Sequence, residues 1–111
     1  TVDTKKIFNK EIFLKMKEGV CFINAGRGEH IVEKDLISFC GNKIKLAVLD
    51  VFGVEPLPKT HPFWVNKNIV IWPHVSAETN IETAAKQVAQ AIKLIHSSKI
   101  PENKIDLNLG Y

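Results

Sequence analysis

Three short apolar runs set the frame for this chain: Val20-Cys21-Phe22-Ile23, Leu46-Ala47-Val48-Leu49 and Ile69-Val70-Ile71-Trp72. Each is strand-sized and continuous, the pattern of a strand buried on both faces of a parallel sheet. Helix-like segments separate them, so the chain reads as consecutive βαβ units. The implied fold class is α/β, part of a doubly wound parallel sheet with helices on its faces.

The connecting segments agree with that frame. Asn9 is placed to cap a helix carrying Ile12, Phe13 and Met16 on one face, with Gly19 where a left-handed residue closes it. A second helix around Glu33 to Cys40 groups Leu36, Ile37 and Cys40 and stops at Gly41-Asn42. The second strand spans Lys45 to Val51, and a loop with Pro56, Pro58 and Pro62 leads to the third, Ile69 to Trp72. From Ala77 to Ser98 a helical stripe places Ile81, Ala84, Ala85, Val88, Ala91, Ile92 and Ile95 together. The tail Ile105-Asp106-Leu107-Asn108-Leu109 alternates with period two, as an edge strand or a docked extended segment would.

Composition excludes several function classes. The net charge is +3, yet 14 of the 15 basic residues are Lys and none forms a run longer than Lys5-Lys6. Nucleic-acid surfaces cluster their charge and favour Arg forks, so no nucleic-acid partner is expected. No apolar stretch approaches the length of a membrane span, and no apolar h-region follows the first lysines, so neither a membrane partner nor a signal peptide is expected. The chain does not open with Met, so its start need not be that of its gene product. Cys21 and Cys40 lie in apolar segments without metal-ligand spacing. They read as reduced core residues of a cytoplasmic protein, with a disulfide as the alternative.

In open α/β sheets ligands bind beyond the carboxyl ends of the strands. Beyond the first strand lies Asn24-Ala25-Gly26-Arg27, beyond the second Asp50 to Glu55, beyond the third Pro73-His74. An Arg, two carboxylates and a His therefore share one sheet edge. An Arg fork can hold a carboxylate and polarise a neighbouring carbonyl. A His can exchange a proton with the resulting hydroxyl, and a carboxylate on its far nitrogen fixes the tautomer. Each residue has a plainer reading: Arg27 as a surface residue, Asp50 as a loop cap, Glu55 as a solvated acid, His74 as an ordinary loop His. The remaining histidines, His30, His61 and His96, have no zinc-ligand spacing, so no metal is expected. Neither G-x-S-x-G nor G-x-G-x-x-G occurs, and neither Cys ends a strand.

Asn24-Ala25-Gly26-Arg27-Gly28, Leu49-Asp50-Val51-Phe52 with Glu55-Pro56-Leu57-Pro58, and Pro73-His74 resemble the C-terminal signatures of the D-isomer-specific 2-hydroxyacid dehydrogenases. His61-Pro62-Phe63-Trp64 and Leu109-Gly110-Tyr111 are similar to the glyoxylate/hydroxypyruvate reductase A branch. The likeness runs from Thr1 to Tyr111 and corresponds to the C-terminal third of such enzymes. It implies a Rossmann-like domain half over residues 1–76, then a helix and tail over 77–111 that return to a substrate domain. It further implies that Arg27 binds the substrate, that His74 is the acid/base and that Glu55 is its partner. Ala25, Gly26, Arg27, Asp50, His74, Ser76 and Ala77 would contact the cofactor, NAD or NADP. Trp72 and Ser76-Ala77 depart from the common pattern of that family. A small 2-keto or 2-hydroxy acid substrate, a homodimer and a cytoplasmic location follow from the same resemblance. The phosphate-binding and ribose-selecting motifs of the family would precede Thr1, so the 111-residue chain alone is expected to be inactive. Two other readings share these residues: an NAD-responsive corepressor-type binding module, and an inactive proteolytic fragment.

Overall fold

The computed structural model describes residues 1–107. Its elements run α1 (Lys10–Lys15), β1 (Val20–Asn24), α2 (Glu33–Phe39), β2 (Ile44–Leu49), β3 (Ile69–Ile71) and α3 (Ile81–His96), with short 3-10 turns at Val2–Thr4, Gly28–His30 and Pro62–Val65. The three strands form one parallel sheet in the order β1-β2-β3. This is the α/β arrangement that the apolar runs imply. Residues Asp3–Ser76 form one compact unit, and Thr1, Val2 and residues 77–107 belong to another.

Local chemistry explains the element ends. The Asn9 side chain accepts hydrogen bonds from the Glu11 and Ile12 amides, capping α1. Gly19 has φ +71°, as expected, but lies past the Met16 cap, so it turns the chain into β1 rather than closing the helix. Gly41, at φ +87°, ends the α2 segment where the sequence places the stop.

The core of the larger unit joins the two short helices to one sheet face. Phe13 of α1 meets Phe22 of β1 edge-on at 5.7 Å and Phe39 of α2 at the same distance. Leu36, Ile44, Ala47, Leu49 and Phe63 complete a buried cluster. Each large side chain fully buried there contributes on the order of 1.5–3 kcal/mol.

Three expectations need correction. Cys21 is not a core residue. Side chains alternate along β1, so Phe22 and Asn24 enter the packed face while Cys21 and Ile23 point away, Ile23 being 71% exposed. The same alternation exposes Val70 and Trp72, so among the described residues the sheet is packed on one face rather than two. Cys40 is half-buried, and burial pushes its thiol up to about 11. Both cysteines are free thiols. The long helix begins at Ile81 instead of Ala77, because Asn80 in extended conformation caps it by accepting from the Thr83 amide. In the tail, residues 105–107 join no strand, and Asn108 and Leu109 lie outside the described residues.

Candidate active site

Register carries the three strand ends to one line. Asn24 pairs with Leu49, and Leu49 with Ile71. The Asp50 amide donates to the Asn24 carbonyl at 2.9 Å, and the Trp72 amide to the Leu49 carbonyl at 2.8 Å. The loops carrying Arg27, Glu55 and His74 therefore leave the same sheet edge, as the strand assignment requires.

The Arg27 turn is braced from beneath. Asn24 is buried; its Oδ1 accepts from the Gly26 amide at 3.1 Å and its Nδ2 donates to the Arg27 carbonyl at 2.9 Å. Arg27 is exposed and donates through Nη1 to the Gly26 carbonyl at 2.8 Å, which leaves the remaining guanidinium donors for an anion. At Gly28 a Cβ would fall 1.9 Å from the Phe52 carbonyl carbon and 2.4 Å from the Gly53 nitrogen. Only glycine fits, and its absent side chain lets the Arg27 turn press against the Phe52-Gly53 backbone.

Glu55 and His74 are brought together from positions 19 residues apart. His74 Nδ1 lies 2.8 Å from Glu55 Oε2, and Glu55 Oε1 accepts from the Phe52 amide at 2.9 Å. The His74 bond, followed by the Phe52 amide, holds the Glu55 carboxyl below its usual value. With Nδ1 donating to an ionised carboxylate, Nε2 is the nitrogen left for a ligand. His74 has φ +57°, a left-handed conformation uncommon outside glycine.

Asp50 supplies what holds that conformation. Its two oxygens accept from the Val75 and Ser76 amides at 2.9 and 3.0 Å. Asp50 is only 4% exposed. Burial acts to raise its pKa, but the Val75 and Ser76 amides, the Ser76 side chain and the nearby His74 outweigh it and keep the carboxyl lowered. The plain reading of Asp50 as a loop cap and its place in the site are thus one arrangement: it caps the loop that presents His74. Ser76 takes part through its amide and its side chain, and Ala77 opens the second compact unit.

An open cleft of about 440 Å³ lies beside the pair, walled by Phe52, Leu57, Trp64, Ile71 and Pro73, with Glu55 and His74 as its polar groups. The Glu55-Pro56 peptide at its rim is cis. Sequence reasoning missed three contributors. The brace by Asn24 was legible in the Asn24-Ala25-Gly26 spacing, which suits an Asx turn. Glu33 and His61 pair with each other at 3.3 Å, and Glu33 also accepts from the Gly53 amide at 3.1 Å. Their separation along the chain gave no signal. No cluster of His, Cys, Asp or Glu suited to a metal ion occurs among the described residues.

The sequence model of a family described as D-isomer specific 2-hydroxyacid dehydrogenase, NAD binding domain, matches residues 1–76. The chain belongs to this family. Glyoxylate/hydroxypyruvate reductase A of Serratia proteamaculans is 38% identical over 112 aligned residues, which take in all of this chain and 36% of that protein. A D-isomer specific 2-hydroxyacid dehydrogenase from Xanthobacter autotrophicus, solved with NADPH and MES, superposes with a TM-score of 0.89 at 35% identity, covering all of this chain and 46% of that one. An NADPH-dependent glyoxylate/hydroxypyruvate reductase from Sinorhizobium meliloti, solved with NADP and sulfate, gives 0.86 at 35% identity, over all of this chain and 37% of that one. The chain thus spans just over a third of the length of the curated relative it matches.

The donor set suits one end of a dinucleotide. Asp50 accepts the Val75 and Ser76 amides and the Ser76 side chain, which leaves its two oxygens together one lone pair for a carboxamide N–H. Ala25 and Gly26 are exposed and offer a low surface, and a Cβ on Gly26 would stand 3.4 Å from the His30 ring. These residues fit a nicotinamide; the sequence contains no G-x-G-x-x-G cradle for its pyrophosphate.

Proposed function

We propose that the polypeptide carrying this chain reduces small 2-keto acids, of the glyoxylate or hydroxypyruvate kind, to D-2-hydroxy acids with NAD(P)H. The observation that carries the reading is the 2.8 Å Glu55–His74 pair, set on the sheet edge that also bears Arg27. Family membership and the reductase activity for which the relatives are named support it.

In this reading Arg27 forks onto the substrate carboxylate and polarises the adjacent carbonyl oxygen. His74 Nε2 delivers a proton to that oxygen as it becomes the hydroxyl, and takes it back in the reverse direction. Glu55 holds the ring through Nδ1 and stabilises its protonated form. Asp50 fixes the loop on which His74 stands. The bound nicotinamide supplies the hydride; Ala25, Gly26, Arg27, Asp50, His74, Ser76 and Ala77 would hold that end of the cofactor. Residues 1–76 would be half of the nucleotide-binding domain, and 77–111 the segment returning to the substrate domain. The 111-residue chain alone, with no phosphate cradle, would turn over no substrate.

The test is glyoxylate- or hydroxypyruvate-dependent oxidation of NADPH and NADH by the complete gene product. Turnover that disappears in both Arg27→Gln and His74→Gln supports the assignment, and near-wild-type rates in both overturn it. A cytoplasmic homodimer belongs to the same proposal on the family resemblance alone, and sedimentation at twice the monomer mass checks the dimer.

A further inference from the structure

The loop between Asp50 and Glu55 is held at two consecutive amides by two different carboxylates. Glu55 Oε1 takes the Phe52 amide at 2.9 Å, and Glu33 Oε1 takes the Gly53 amide at 3.1 Å. Glu33 opens α2, so this second bond ties the loop to a helix 20 residues earlier in the chain. Its other oxygen, Oε2, lies 3.3 Å from His61 Nε2. His61 is fixed in turn: Nδ1 accepts from the Phe63 amide at 3.3 Å, and its ring packs edge-on against Phe63 at 4.4 Å. Phe63 is 1% exposed, and its ring centroid stands 6.3 Å from that of Phe52. On a further side the backbone at Gly28 presses against the Phe52-Gly53 peptide.

We propose that Glu33 and His61 are a positioning pair for the proposed reaction: they lock the Phe52-Gly53 peptide and so set the distance and angle at which Glu55 meets His74. His61 does not exchange protons with substrate. Its Nδ1 accepts from the Phe63 amide and its Nε2 faces the Glu33 carboxylate at 3.3 Å, so neither ring nitrogen is turned to a substrate. The pair acts through geometry. Glu55 is bonded at both oxygens, so any shift of the Phe52 amide is passed to Oε2 and hence to His74 Nδ1. A displacement of about 1 Å at a reacting group is worth up to about a hundredfold in rate. The inference rests on the Glu55–His74 reading given above.

The experiment compares Glu33→Ala, Glu33→Gln, His61→Phe and Glu55→Gln in the complete gene product, with glyoxylate and NADPH across a pH series. Glu33→Ala should lower kcat about tenfold, with a smaller change in KM for the keto acid, because the Arg27 turn meets the Phe52-Gly53 peptide only through Gly28 and is braced separately by Asn24. It should also move the alkaline limb of the kcat profile to lower pH, in the direction of Glu55→Gln but less far. Glu33→Gln keeps an oxygen for the Gly53 amide and should recover most of the loss. His61→Phe, which preserves the packing on Phe63, should reproduce the shift if Glu33→Ala fails to fold. A normal profile in Glu33→Ala and His61→Phe, beside a displaced one in Glu55→Gln, overturns the positioning role and leaves the Glu55–His74 reading intact. A lower rate with an unmoved profile also overturns it, since lost folded protein alone would do that. An unchanged rate and profile in Glu55→Gln overturns the underlying reading and this inference with it.

Discussion

Two glutamate–histidine pairs among the described residues differ in their environments in an instructive way. In the Glu55–His74 pair the His side chain is 54% exposed, stands at positive φ, and has only Nδ1 engaged, at 2.8 Å. In the Glu33–His61 pair the His side chain is 19% exposed, the contact is 3.3 Å, and both ring nitrogens are occupied. An imidazole held at one nitrogen and open at the other can move a proton. One held at both can only brace. In the proposed reading the same two residue types become a reacting group and a support according to how many ring nitrogens the fold consumes. Both pairs meet on one loop, Phe52 to Glu55, so the difference is a division of labour around a single peptide.

The sharpest way to break the comparison is at the open nitrogen. His74→Gln, which removes the proton carrier, should lower kcat for glyoxylate reduction by about a thousandfold in the complete gene product, measured by NADPH absorbance. Arg27→Gln should abolish most turnover as well and in addition raise KM about a hundredfold, since both the polarising charge and the carboxylate fork are lost; steady-state kinetics separates it from His74→Gln by that KM rise. Gly28→Ala tests the backbone contact beneath both loops. Its Cβ would collide with the Phe52 carbonyl, and overpacking of that kind costs on the order of 1–3 kcal/mol, readable by urea unfolding.

The smallest effect concerns Asp50. Lowered carboxyl pKa values at Asp50 and Glu55 mean that the folded state binds protons less readily than the unfolded one. Their stabilisation is complete above the ordinary carboxylate range, about pH 4, and fades as pH falls through the lowered values. Asp50→Asn presents an N–H₂ to one of two backbone donors. It should lower the melting temperature at pH 7 and flatten the loss of stability below about pH 4, by thermal melts across a pH series. An unchanged acid limb would show that Asp50 does not cap the Val75-Ser76 amides.

Much of the fold was present in local pattern. Apolar runs of strand length, Asn9 as a cap and Gly41 as a stop depend on near neighbours along the chain, and the parallel sheet follows from their alternation with helices. The faces of β1 were misjudged because a continuous apolar run does not say which side a sheet covers; Cys21 and Ile23 required the tertiary packing. The candidate site divides in the same way. That Arg27, Glu55 and His74 share an edge follows from strand ends and one rule of α/β topology. The 2.8 Å contact, the left-handed turn held by Asp50 and the requirement for glycine at position 28 do not.

By itself the sequence determined the order of elements, the edge on which chemistry could occur, and a family likeness that the comparison with known proteins established. Only the tertiary structure decided how many ring nitrogens His74 and His61 keep free. A ring nitrogen is consumed by whatever donor or acceptor the fold brings close to it: Glu55, 19 residues away, for His74, and Phe63 and Glu33, 2 and 28 residues away, for His61.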